Sequence, residues 1–355
     1  MRRVLLAAVS VLAVACSAFA PPGPSPTPAV TAFVIPTPSP KPSPTAFTGH
    51  YGFLVPGPSG YIVRREDSDA SLGVIDLVAG AVSPDGSLFA GWTRTTPAEL
   101  RIVDVAKPTA FAKVLTLPAG ERGGAMAWAI DGTGIVFAAE SEAVSNTQNL
   151  PQYSALRTIA LAANGTAAGA PKEIVRVEAM LLRPALWDRI GGDLVAALGI
   201  VPGSAREYIV IRGVNAPDRR TLPDRTWQEA PAASGDGHWV VLAATNEPLL
   251  RWFPSDDPTF ILETHGDIQG TGASAAGRPM SPQIGVVVDR GLVLYDGSTG
   301  QRTRVPAEDL FGIVCFRFDG SAAVVKTATG LATIEIGSWK VTPVSGEVRF
   351  GVRLP

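Results

Sequence analysis

The pattern of apolar and polar positions along the chain is one of short runs. Stretches such as "REYIVIRG" (206–213), "WVVLAAT" (239–245), "PQIGVVV" (282–288) and "GLATIEI" (330–336) are β-branched and apolar over five to seven positions. Gly, Pro, Asp or Asn close each of them. No helix-period pattern of useful length interrupts them, so the chain reads as all-β. Four of the boundaries repeat one design, an Asp-Gly pair followed by an apolar strand. They are "VSPDGSLFAGW" (82–92), "WAIDGTGIVFAA" (128–139), "ASGDGHWVVLAA" (233–244) and "FRFDGSAAVVKT" (316–327). Asp-Gly suits a tight hairpin, because Gly tolerates φ > 0 and Asp can bond its own backbone.

The spacing of these turns sets the architecture. Asp85, Asp131, Asp236 and Asp319 lie 46, 105 and 83 residues apart. The two wide gaps each hold a degenerate unit, "LWDRIGGDLVAALGI" (186–200) and "SPQIGVVVDRGLVLYDG" (281–297). Five intervals averaging near 47 residues result, which is the period of a propeller blade. Six units cover 81–346, and two segments remain, 52–77 and 346–355. Joined, they make one more blade, with the C-terminal strand innermost and the N-terminal strands outside it. The expectation is a β-propeller of seven four-stranded blades over 51–355, with six or eight blades, or a pair of β-sandwiches, as alternatives. "SPDGSLFAGW" resembles the TolB-like, Trp-Asp-repeat-like propeller unit, whose signature runs Trp-Ser-Pro-Asp-Gly. Three places before the Asp stand Val82, Trp128, Ala233 and Phe316, so only the second copy keeps the tryptophan and only the first keeps Ser-Pro. The resemblance speaks to fold, not to partners.

The N-terminus has a different texture. Arg2 and Arg3 precede a twelve-residue apolar stretch, 4–15, interrupted only by Ser10. A basic start and a short apolar run have the form of a secretory signal, and the run is too short for a lasting membrane span. Two cuts compete. Ala18-Phe19-Ala20 would leave Pro21 after the scissile bond, where its ring and missing N–H are unfavourable. Leu12-Ala13-Val14-Ala15-Cys16 resembles the bacterial lipobox, with the leucine four rather than three places before the cysteine. That resemblance implies a lipoprotein signal peptide over 1–15 and acylation at Cys16. Two acyl chains, at about 0.8 kcal/mol per buried CH₂, would hold the mature chain at the outer face of the cytoplasmic membrane. Residues 16–50 then form a lipid-anchored linker. Ten of the 27 residues in 21–47 are proline, which favours an extended, semi-stiff segment.

Charge and chemistry narrow the function without naming it. The formal charge is −2, or −4 once Arg2 and Arg3 leave with the signal, and no basic stripe marks a nucleic-acid surface. With only Cys16 and Cys315, acylation of the first leaves no disulfide, and Cys315 in "FGIVCFRF" reads as a buried inert thiol. His50, His238 and His265 lack metal-ligand spacing, so neither metal nor cofactor is expected. "DSDASLG" (67–73) places acidic and hydroxyl groups at alternate positions, but its glycine falls one place late for a calcium loop and no closing Glu follows. Asp188 and Asp193 lie near an inner-strand turn and are a carboxylate pair that could approach a central channel, with turn chemistry the simpler account. The tryptophans at 92, 128, 187, 227, 239, 252 and 339 fall about once per blade and read as packing. Trp252 is the candidate exposed aromatic, and 140–153 the candidate recognition loop. The reading is an envelope lipoprotein whose propeller binds or scaffolds an envelope protein or carbohydrate. A glycan-directed hydrolase or lyase, and a structural protein without specific ligand, are the alternatives.

Overall fold

A computed structural model describes residues 47, 49–145, 149–189, 193–200, 207–213, 215–222, 231–243, 250–255, 262–264, 274–288 and 290–355. Cys16, the signal segment, most of the linker, Trp227, His265 and the centre of the 140–153 loop lie outside them, as does the side chain of Trp252. Among the described residues the chain forms strands and no helix. Blade 1 opens with β1 (His50–Gly57), β2 (Gly60–Arg65) and β3 (Ser71–Ile75). Blade 2 is β4 (Val78–Val82), β5 (Leu88–Trp92), β6 (Glu99–Asp104) and β7 (Phe111–Thr116). Blade 3 is β8 (Glu121–Trp128), β9 (Gly134–Ser141), β10 (Tyr153–Ala160) and β11 (Lys172–Glu178). Blade 4 is β12 (Leu181–Asp188), β13 (Leu194–Ile200), β14 (Glu207–Arg212) and β15 (Asp218–Thr221). Blade 5 is β16 (Ala232–Ala233), β17 (Trp239–Ala243), β18 (Leu250–Pro254) and β19 (Leu262–Thr264). Blade 6 is β20 (Ser274–Gly277), β21 (Gln283–Val288), β22 (Gly291–Asp296) and β23 (Arg302–Arg304). Blade 7 is β24 (Leu310–Phe316), β25 (Ala322–Thr327), β26 (Gly330–Glu335) and β27 (Val341–Val344). The last strand, β28 (Phe350–Leu354), returns to pair with β1 inside blade 1.

The result is a seven-bladed β-propeller, as the repeat spacing predicts. The innermost strands β28, β4, β8, β12, β16, β20 and β24 meet in succession and close the ring. Blade 1 has the composite order β28-β1-β2-β3, so both chain ends of the domain share one sheet. β28 covers the inner edge of β1, so the N-terminal hairpin does not leave that edge unpaired.

The core is a set of slabs between blades. Each described apolar cluster spans one pair of neighbours. Trp92, Leu100 and Phe137 join blades 2 and 3, while Val136, Trp187 and Ile209 join blades 3 and 4. β9 shows how one strand serves two slabs. Ile135, Phe137 and Ala139 face blade 2, and Val136 and Ala138 face blade 4. Successive side chains alternate sides, so a strand covered on both faces must be apolar throughout. That is why the strand after each Asp-Gly turn carries no polar alternation. The outermost strands β3, β15 and β23 are largely exposed.

Tryptophans fasten blades as well as fill space. Trp92 Nε1 donates to the Gly124 carbonyl at 2.9 Å, and Trp128 Nε1 donates to the Ala81 carbonyl at 2.9 Å, so blades 2 and 3 clasp each other in both directions. Gly123 is required there, because a Cβ would lie 2.1 Å from the Trp92 ring.

Candidate functional site: the entry face and its cleft

The ring has two faces of different character. On the turn face, each innermost strand turns back into the second strand of its blade. All four Asp-Gly pairs lie here, with Gly86, Gly132, Gly237 and Gly320 at φ of 75°, 73°, 78° and 71°. Asp85 accepts from Ser83 Oγ at 2.6 Å and from Ser87 Oγ at 2.7 Å, and Asp236 accepts from Ser234 Oγ at 2.6 Å. Burial alone would raise these carboxyls. The hydroxyl and amide donors outweigh it and hold both Asp85 and Asp236 below the ordinary carboxylate value. These acids are spent on making the turns.

The other sequence candidates resolve in the same structural direction. Asp188 ends β12 and Asp193 sits across the hairpin at φ 55°, where its Oδ1 accepts from Trp187 Nε1 at 2.8 Å. Asp193 therefore fixes a packing tryptophan. In "DSDASLG", Asp67 is bound by Arg65 at 2.9 Å and Asp69 by Arg64 at 3.1 Å, so arginines take the place a cation would have. His50 Nδ1 lies 2.7 Å from Arg65, and His238, largely exposed, lies 3.0 Å from Asp236. No cluster of three His, Cys, Asp or Glu with metal-binding geometry occurs among the described residues. The thiol of Cys315, partly buried in β24, is pushed up to about 12 by loss of hydration.

On the entry face, the chain passes from the outer strand of one blade into the innermost strand of the next. A cleft of about 280 Å³ opens there between blades 1 and 2. Tyr61 stands at the start of β2, Leu77, Val78 and Ala79 at the entry to β4, Arg94 just after β5, and Arg349 just before β28. Both arginines are exposed. Arg94 donates to the Pro58 carbonyl at 3.2 Å, which orients its guanidinium, and Arg349 has no ion-pair partner among the described residues. Tyr61 packs edge-on to Phe89, with ring centroids 5.0 Å apart. Burial raises its phenol above the ordinary value while the Arg349 charge opposes the shift, so the hydroxyl keeps its proton at neutral pH. No carboxylate lines the cleft. Two backbone features shape it. Ala79 adopts φ 43°, costly for a residue with a Cβ, and the β4–β5 register slips between Val78 and Gly80. Strain of this kind persists only where surrounding structure holds it, and it concentrates at binding sites.

Elsewhere on this face three described arginines are committed to carboxylates. Glu140, almost fully buried in β9, is held by Arg122 of β8 at 3.1 Å and by Arg183 of β12 at 3.3 Å, which ties blade 3 to blade 4. Glu121 receives Arg157 and the Tyr153 hydroxyl, at 2.8 Å for the latter; burial would raise its carboxyl, but these bonds lower it. Arg94, Tyr61 and Arg349 carry no signal in the sequence. Arg94 and Arg349 are 255 positions apart and meet only because the ring closes, so no local motif marks them.

No protein-family model matches the chain, and no curated protein matches it in sequence. Solved structures do resemble it. An oligogalacturonate lyase from Vibrio parahaemolyticus is 11% identical over 79% of this chain and 84% of its own, with a TM-score of 0.54. A candidate 6-phosphogluconolactonase from Bacteroides fragilis is 11% identical over 89% of this chain and 100% of its own, with a TM-score of 0.54. TolB from Acinetobacter baumannii is 14% identical over 88% of this chain and 68% of its own, with a TM-score of 0.46. At such identities the likeness is one of fold, and this fold serves unrelated activities.

Proposed function

We propose that the chain is an exported lipoprotein, acylated at Cys16, whose propeller acts as a binding module at the cell envelope. The entry face makes the contact. The cleft between blades 1 and 2 carries this reading: it sets two arginines and a protonated phenol against an apolar wall with no acid among them. That composition suits recognition, since a few polar groups in an apolar recess fix a ligand's orientation. Asp193 works against the catalytic alternative, because the carboxylate is engaged in holding Trp187. The partner is an envelope protein or carbohydrate, reached by a domain tethered through the proline-rich linker.

The test uses the full-length lipidated protein in nanodiscs, offered solubilised envelope peptides and glycan fragments. Binding is followed by interferometry and product formation by chromatography. The expected result is binding without turnover, lost in an Arg94→Glu/Arg349→Glu double variant that melts like the parent. Turnover of a glycan fragment would establish the hydrolase or lyase alternative. Binding that survives the double charge reversal would move the contact away from this face, and absence of any binding would favour a purely structural role.

A further inference from the structure

We infer that the cleft between blades 1 and 2 is an oxyanion site, taking a carboxylate carried on a body about the size of one sugar ring. This rests on the cleft being the contact surface proposed above, and it adds the chemistry of what is held. The first ground is charge. Arg349 and Arg94 line one small recess with no acidic side chain beside them. Elsewhere on the ring, Arg64, Arg101, Arg157, Arg183 and Arg317 each hold a carboxylate of the protein. With both guanidinium groups on its lining, the recess attracts an anion. The second ground is pre-organisation. Arg94 is aimed by the Pro58 carbonyl, and the Ala79 backbone is held in a left-handed conformation at the cleft wall.

The geometry favours a carboxylate over a phosphate. Phosphate sites are commonly built from helix N-termini or from nests of backbone amides. The described residues contain no helix, and the recess offers guanidinium groups and one phenol instead. A guanidinium fork pairs in two-point fashion with carboxylate and phosphate alike, so the arginines set the charge of the ligand, and only the want of a helix N-terminus among the described residues separates the two. The volume of about 280 Å³ admits a single ring, with Leu77 and Val78 against its C–H face.

Calorimetric titration of the full-length protein with four probes tests this: glucuronate, glucose, acetate and inorganic phosphate. Glucuronate and glucose share a ring and differ in the carboxylate, while acetate carries the carboxylate without the ring. Glucuronate should bind at least about tenfold more tightly than glucose and more tightly than acetate or phosphate, the range expected of a charge-assisted pair. Arg349→Gln and Arg94→Gln should each weaken it by about tenfold, and added salt should weaken it further. Should Arg94→Gln fail to fold, the exposed Arg349 provides the second variant. Equal affinity for glucose and glucuronate, tighter phosphate binding, or indifference to Arg349→Gln overturns the assignment. If no probe binds while envelope fragments still require both arginines, the ligand class fails and the contact face stands. If glucuronate binds but the double charge reversal leaves the binding of envelope fragments unchanged, the ligand class stands and the contact face fails.

Discussion

Removing the Arg317 side chain should open the seam at which the ring closes. Arg317 follows the innermost strand of blade 7, and Glu66 follows β2 of blade 1. Arg317 Nε donates to Glu66 Oε2 at 2.8 Å, and a second, shorter bond from the same guanidinium reaches Oε1. The guanidinium also lies 4.3 Å above the Tyr51 ring, whose hydroxyl donates to Asp319 Oδ2 at 2.7 Å. The paired side chains are only 12% and 14% exposed. Deleting one partner of a buried pair costs about 3–5 kcal/mol, because the other charge stays desolvated and unmatched. Residual exposure moves this pair to the lower end, and loss of the cation–π contact adds about 0.5–1 kcal/mol. Arg317→Met should therefore lower stability by about 3 kcal/mol. For a domain of this size that is a fall in Tm of about 5 °C. Urea unfolding at pH 7, followed by tryptophan fluorescence, measures it, with an unchanged slope showing that the unfolded state is the same. The double variant Arg317→Met/Glu66→Leu should lose less than the sum of the single variants by about 2 kcal/mol, since it removes the stranded charge as well. A loss under about 1 kcal/mol for Arg317→Met, or strict additivity in the double variant, would refute the claim that this pair locks the ring.

Equivalent turn glycines should respond unequally. A Cβ on Gly86 would sit 2.4 Å from Phe318, whereas one on Gly132 meets nothing nearer than Pro84 at 3.9 Å. Gly132→Ala should cost about 1 kcal/mol of left-handed strain and Gly86→Ala about 2–4 kcal/mol once overpacking is added, by the same urea assay. Stability should also fall in acid. Asp85 and Asp236 are held below the ordinary 3.8, so their contribution is present above that value and lost as pH falls through the lower folded one. The urea midpoint should be nearly flat from about pH 7 to pH 5 and drop below about pH 4, less steeply in Asp85→Asn. At the N-terminus, Cys16→Ser should abolish fatty-acid labelling and release the protein from membranes; labelling that survives the substitution would place the acyl chains elsewhere.

What the sequence could show follows from how local each feature is. An Asp-Gly hairpin is written in adjacent residues, so four turn positions and the 47-residue spacing were readable. The two degenerate units needed the others as a ruler: blade 4 turns through Asp193 at φ 55° and blade 6 through Met280 at φ 53°, without the Asp-Gly signature. Blade number depended on whether 52–77 and 346–355 would share a sheet. The pairing of Phe53 with Gly351 answers that, through a contact almost 300 residues long that no local pattern encodes. The cleft was illegible for the same reason. Likewise "DSDASLG" has the look of a cation loop until the chain order of Arg64 and Arg65 and the fold bring guanidinium groups onto Asp69 and Asp67.

The closure also separates the two faces structurally. β1 starts at His50 on the turn face, and its first residues join the Tyr51–Arg317–Asp319 cluster there. Any load on the N-terminal segment thus enters the domain at the seam, beside the buried ion pair. β1 then crosses the blade and ends at Gly57, one turn from Tyr61, so the same strand that receives the load ends beside the cleft wall. Acids on the turn face are consumed by hairpins, and those near the seam by arginines. Arg349, without an ion-pair partner among the described residues, stands on the opposite face. On the proposal above, a domain tethered at one face and binding an anion at the other would need no moving part. The ring supplies the separation, and β1, hydrogen-bonded on both sides by β28 and β2, is the element that fixes the distance between them.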